Sequence, residues 1–242
     1  MKQILSRGRL ACLLVIAIIL IDQIIKIEVK TNMRLHETIY ITDWFQLVFI
    51  ENKGMAYGMS FIYKPLLTIF RVAASVLIGY YIWQQVKAKA RWGYIVCLSM
   101  LLAGALGNVF DCMFYGLIFH ASSPDYVSYF VPFGQGYASF LQGKVVDMFY
   151  FPLVTFTWPD WMPFCGGSEY TFFSPIFNFA DSSITVSFFL LLLFYHKELS
   201  AISLSGKAKQ KAENDDVQKE ENKNADNVSQ TLNPEQPNQS EQ

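Results

Sequence analysis

Five ionisable side chains stand inside or beside long apolar stretches of this 242-residue chain: Asp22, Arg71, Asp111, Asp147 and Asp181. A charge held in hydrocarbon costs about 3 kcal/mol or more unless it is paired or solvated, so each is a candidate for function. Asp22 precedes Lys26 by four residues and shares a helical face with it. Asp111 shares a face with Asn108 in the same way, so an ion pair or a hydrogen bond within its own turn can satisfy either acid. Asp147, in Val145-Val146-Asp147-Met148, and Asp181, one turn after Asn178, have no basic residue close to them in sequence. Two such acids at one membrane depth are candidates for a pair that shares a proton. Carboxyls a few ångströms apart cannot both ionise, so one activates water while the other donates a proton. The sequence leaves open which acid takes which role.

Other chemistries find less support. There is no GxSxG, SxxK, HExxH or Walker sequence. The three His and four Cys have no metal-ligand spacing, and no metal or other cofactor is expected. Cys12 and Cys97 read as small core hydrophobes. The stretch Asn52-Lys53-Gly54-Met55-Ala56-Tyr57-Gly58 is punctuated by glycine. It reads either as a turn or as a place where Asn52, or backbone near Gly54, meets a substrate chain.

The elements that must position these residues are membrane helices. The chain is 52% hydrophobic and 16% charged, against about 25% charged in an average soluble protein. Lys and Arg nearly balance Asp and Glu, which excludes a generally basic nucleic-acid binder. Apolar runs predict four spans, at about 10–29, 65–86, 92–114 and 176–196. A cleaved secretory signal is the rival for the first, but no small-x-small site follows Ile21. Residues 1–9 and 86–93 carry six basic residues and no acid, whereas 116–175 carries only Lys144. Both termini are therefore expected in the cytoplasm, with the five ionisable groups towards the outer face. Segment 116–175 holds 17 of the 39 aromatics and is expected to lie along the outer leaflet. Thr38–Ile50 and Lys144–Phe151 read as strands of a small outer sheet. The fold expected is a membrane α-helical domain over 1–204, followed by a disordered polar tail, 205–242, in which large apolar residues are almost absent.

At these residues the chain resembles the lipoprotein signal peptidase family, the membrane aspartic peptidases known as signal peptidase II. The resemblance rests on five stretches in order. They are Asp22-Gln23-Ile24-Ile25-Lys26 in the first helix, Asn52 to Gly58 in the first outer loop, Gly104 to Asp111 late in the third helix, Val145-Val146-Asp147, and Phe177-Asn178-Phe179-Ala180-Asp181 at the fourth helix. It covers roughly residues 8–198. It implies Asp147 and Asp181 as the catalytic dyad, and Asp22, Lys26, Asn52, Gly54, Asn108, Asp111 and Asn178 as pocket residues. It also implies metal-independent cleavage of bacterial prolipoproteins before a diacylglyceryl-modified cysteine, at the outer surface of the cytoplasmic membrane, by a monomer among membrane lipids. Two departures stand out. The Arg expected after Asp111 is Cys112, for which Arg71 or Lys144 are the candidate substitutes. Residues 117–142 and 152–174 look like insertions, read as outward loops that form a lid or a lipid-facing platform. The alternative function is a non-enzymatic membrane protein such as a small proton-coupled transporter, since acids in spans also relay protons.

Overall fold

The computed structural model describes residues 2–52 and 64–200. Gly54 and most of the glycine-punctuated stretch, together with the polar tail from 205, lie outside the described residues. The chain divides into two units, Met1–Leu191 and Leu192–Gln242, and all of the candidate site residues belong to the first.

Among the described residues, three helices are long and apolar enough to cross a membrane. They are α1 (Lys2–Asn32), α2 (Lys64–Lys87) and α3 (Trp92–Phe110), the last extended by a π turn at Asp111–Tyr115 and by the short α4 (Gly116–Ile118). Their outward positions are apolar, with Leu13, Ile16 and Leu20 of α1 and Val76 and Leu77 of α2 all exposed, while Asp22, Lys26 and Lys30 are buried. A helix with apolar residues outside and charges inside is matched to lipid rather than to water. Cys97 is buried as expected, but Cys12 is exposed among these apolar positions and is no core residue.

The fourth apolar helix is shorter than the sequence implied. Ile176 and Phe177 do not begin it. They form a strand, β6, paired with Tyr150 and Phe149, and the helix α5 starts at Phe179 and ends at Phe194. Ile176–Phe177 shows no helical period of its own, and pairing with a neighbouring strand satisfies its backbone groups.

The expected small sheet is present among the described residues. It has four strands in the order β1 (Thr38–Thr42), β2 (Phe45–Asn52), β3 (Val145–Tyr150) and β6 (Ile176–Phe177), with antiparallel neighbours. In this register Glu51 faces Val146 and Asn52 faces Val145. Side chains alternate across a strand, so the two faces differ. Phe49, Val146 and Met148 lie on one face and pack on Val29, Met33, Tyr115 and Phe119 of the helices to form the core. Asp147 and Phe149 lie on the other. Phe45, Phe149, Phe151 and Phe177 make a patch of ring contacts there, with Phe45 and Phe151 stacked at 4.8 Å. Within residues 152–174, β4 (Val154–Thr157) and β5 (Glu169–Phe172) form a separate hairpin.

Candidate active site

The pocket begins with close packing of helices. At Gly107 a Cβ would stand 2.8 Å from the Asp22 carboxylate and 3.2 Å from the Ala180 side chain, and at Gly104 it would collide with the Ala180 carbonyl oxygen. The small residues thus let α3 approach both α1 and the start of α5. Into that junction α1 delivers Lys26, whose Nζ lies 2.8 Å from Asp22 Oδ2, 2.8 Å from Asp111 Oδ2 and 2.9 Å from Asn108 Oδ1. An ammonium has three donors, and all three are engaged. The ion pair expected between Asp22 and Lys26 is there, and Asp111 joins it.

Each of these acids also holds a backbone donor. The first turn of a helix leaves its N–H groups without partners. At α5, Asp22 Oδ1 accepts the Ala180 N–H at 2.8 Å, and Asn178 acts as N-cap, its Oδ1 accepting the Asp181 N–H at 2.9 Å. Asp181 therefore sits in the first turn of α5, where the helix dipole favours an acid. Asp111 reaches the Val146 N–H of β3 with Oδ2, at 3.4 Å.

The five remaining predicted residues among those described converge. Asn178 Nδ2 donates to Asp147 Oδ1 at 2.6 Å and to Asn108 Oδ1 at 3.1 Å. Asn108 Nδ2 donates to Asp181 Oδ1 at 2.7 Å, and Asn52 Nδ2 donates to Asp147 Oδ2 at 3.1 Å. Three carboxamides thus fix two carboxyls that come from different elements, Asp147 from mid-β3 and Asp181 from α5. Burial pushes the Asp147 carboxyl up, and the charge of Asp181 pushes it further, to about 7, against the hydrogen bonds from Asn52 and Asn178 and the charge of Lys26 that pull it down. Such a group holds a proton beside a second acid near neutrality, which is the condition for general acid and base work by a pair. Among the described residues no group of three or more His, Cys, Asp or Glu side chains is placed to hold a metal.

The model of the signal peptidase (SPase) II family matches residues 14–197. The chain belongs to the signal peptidase II family. A lipoprotein signal peptidase of Porphyromonas gingivalis (strain ATCC 33277) is 41% identical over 204 residues, covering 84% of this chain and 89% of that protein. Another, from Amoebophilus asiaticus (strain 5a2), is 36% identical over 186 residues and covers 72% of each chain. A bacterial membrane enzyme solved by the in meso method at 2.3 Å resolution matches with a TM-score of 0.53 at 20% identity, over 79% of this chain and 90% of that one, which is a likeness of fold. This family member is a multi-pass membrane protease, and the transporter alternative is set aside.

Of the two candidates for the missing Arg, Arg71 approaches the position, with Nη1 3.4 Å from Cys112 Sγ. Lys144 instead binds Glu51, at 2.6 Å. Sequence reasoning missed Gln23 and Tyr115 as parts of the site. Gln23 Nε2 donates to Asp111 Oδ1 at 2.8 Å while its Oε1 accepts from the Tyr115 hydroxyl at 3.0 Å. The signal for Gln23 was available, because a Gln beside an acid in an apolar helix itself needs a polar partner. Tyr115 gave none.

Proposed function

We propose that this protease is an aspartic endopeptidase, with Asp147 and Asp181 as the dyad. One carboxylate removes a proton from a water that attacks the scissile carbonyl and later passes that proton to the leaving amine, while the other, protonated, donates to the developing oxyanion and recovers its proton as the carbonyl re-forms. The observation that carries this reading is the convergence of both acids on Asn178 and Asn108, with neither acid in an ion pair among the described residues. Asp22, Lys26 and Asp111 are the frame that seats α5 and β3, and Asn52, Asn108 and Asn178 set the geometry of the carboxyls. The substrates are prolipoproteins carrying a diacylglyceryl cysteine, cut on its amino side. A lipid-bearing chain has to be met where acyl chains and water adjoin, and the sheet's aromatic face beside Asp147 suits that boundary. The site opens to the outer side of the bacterial inner membrane, with both termini inside.

Incubation of the purified protein with a diacylglyceryl prolipoprotein, reading the new N-terminus of the product, tests this. Cleavage before the lipidated cysteine is expected, unaffected by EDTA, and lost in Asp147→Asn and in Asp181→Asn while both variants remain folded in the membrane. Near-normal processing by either variant removes the dyad.

A further inference from the structure

A second buried ionic cluster lies on the opposite face of the sheet from Asp147. Glu51 Oε1 lies 2.5 Å from Lys30 Nζ and accepts from the Ser122 hydroxyl at 2.8 Å, while Oε2 lies 2.6 Å from Lys144 Nζ. Lys30 is fully buried, one turn beyond Lys26 on α1. Its ammonium stands 5.2 Å from the centroids of the Phe119 and Tyr137 rings and 5.8 Å from that of Phe49. The Tyr137 hydroxyl accepts the Lys144 N–H at 2.7 Å. One carboxylate therefore ties together the end of α1, the first insertion through Ser122, and the residue that leads into β3.

The energetics argue that this cluster is not there for stability alone. Buried ion pairs lose in desolvation roughly what they gain in attraction, and apolar residues of equal volume commonly serve as well. What such a cluster does supply is a fixed register. Glu51 immediately precedes Asn52 on β2, and the same strand pairing places Asn52 opposite Val145 and Ile50 opposite Asp147. Alternation sends Glu51 to the back and Asn52 to the front, where it donates to Asp147. The β2–β3 pairing is irregular between Leu47 and Ile50, so the end of β2 beyond that irregularity is held by the three pairings of Ile50, Glu51 and Asn52 and by whatever clamps Glu51.

We infer that Glu51 is a positioning residue for the dyad: clamped by Lys30, Lys144 and Ser122, it fixes the end of β2 so that Asn52 holds Asp147 in its working geometry. The insertion 117–142 is then a brace behind the catalytic strand, and Ser122 and Tyr137 are its contact points. This rests on the reading of Asp147 as catalytic.

The test is Glu51→Gln, which keeps shape and removes charge, assayed on a lipidated precursor peptide with kcat, KM and the pH–rate profile measured per folded molecule. Loosening by a fraction of an ångström lowers kcat by about ten- to a hundredfold and leaves KM within about twofold. A weakened bond from Asn52 also favours protonated Asp147, so the midpoint contributed by Asp147 moves to higher pH. Facing that carboxyl are Asp181, Lys26, Asn52 and Asn178, none of which is altered. Lys30→Met combined with Glu51→Gln removes both buried charges and covers the case in which the single variant does not fold. It too should be folded and slow. Ser122→Ala should lower kcat by a smaller factor in the same direction. A folded single or double variant with wild-type kcat and an unmoved midpoint overturns the proposal, as does a loss of yield alone. Cleavage by Asp147→Asn would defeat the dyad reading and this inference together. An inactive Asp147→Asn beside a wild-type Glu51→Gln profile defeats only this inference.

Discussion

Replacing Asp147 with Asn should make the protein more stable at pH 8 while it abolishes cleavage. In the folded protein this carboxyl ionises near 7, raised by burial and by Asp181, whereas in an unfolded chain an Asp ionises near 3.9. Between those values the folded state binds the proton that the unfolded state has lost. Stability therefore falls as pH rises through that window and stays low above it. At about 1.4 kcal/mol per pKa unit, the roughly three-unit difference makes the ionised Asp147 cost up to about 4 kcal/mol above pH 7. Asn mimics the protonated acid and escapes that cost, so its advantage is largest at pH 8 and shrinks towards zero near pH 4. Thermal melts of wild type and variant in the same detergent at pH 5 and pH 8 give the contrast. In a chain of this size about 4 kcal/mol corresponds to roughly 8–16 °C, with partial relaxation around the new amide bringing the gain down. A variant no more stable at pH 8 than wild type, or equally stabilised at both pH values, would refute the reasoning. Asp147 would then carry no electrostatic strain.

Two further outcomes are expected from the frame around the dyad. Lys26→Met leaves Asp22 and Asp111 buried without their shared cation, so a loss of about 3–5 kcal/mol is expected, read as a sharp drop in folded protein by size-exclusion profile and melting temperature. Gly107→Ala drives a methyl to 2.8 Å from Asp22 Oδ2. Overpacking of this kind costs about 1–3 kcal/mol, and activity should fall together with melting temperature because the same shift displaces the Ala180 N–H from Asp22.

The parts of this molecule that sequence reading reached are those whose partners are local or whose residue types are out of place. Asp22 with Lys26 announces itself by helical spacing, and Gly104 and Gly107 by being small in an apolar helix. Asp147 and Asp181 announce themselves by being acids without nearby cations. The strands around Ile41 and Val48 were legible from alternation and aromatic content. The hairpin β4–β5 was not, because it is largely exposed on both faces and so shows no inside-to-outside alternation. Ile176–Phe177 was misplaced into a helix because an apolar pair is ambiguous until its strand partner, 26 to 28 residues away, is known. The Glu51 cluster escaped for the same reason, since its members come from α1, β2, the first insertion and the start of β3. Lys30 did leave a trace, as the third polar residue at four-residue spacing after Asp22 and Lys26.

The saturation of Lys26 has a consequence for the kind of molecule that would block this enzyme. With its three donors on Asp22, Asp111 and Asn108, and with Lys30 and Lys144 committed to Glu51, none of these ammonium groups is left to neutralise an anion beside Asp147 and Asp181. On the proposed dyad, a tetrahedral mimic built on a phosphinate would bring a fixed negative charge towards two acids that share one proton. A mimic carrying an uncharged secondary hydroxyl at the same atom meets amide donors and a protonated carboxyl, which it can satisfy. Inhibitor chemistry for this site should accordingly favour neutral carbinols over anionic isosteres.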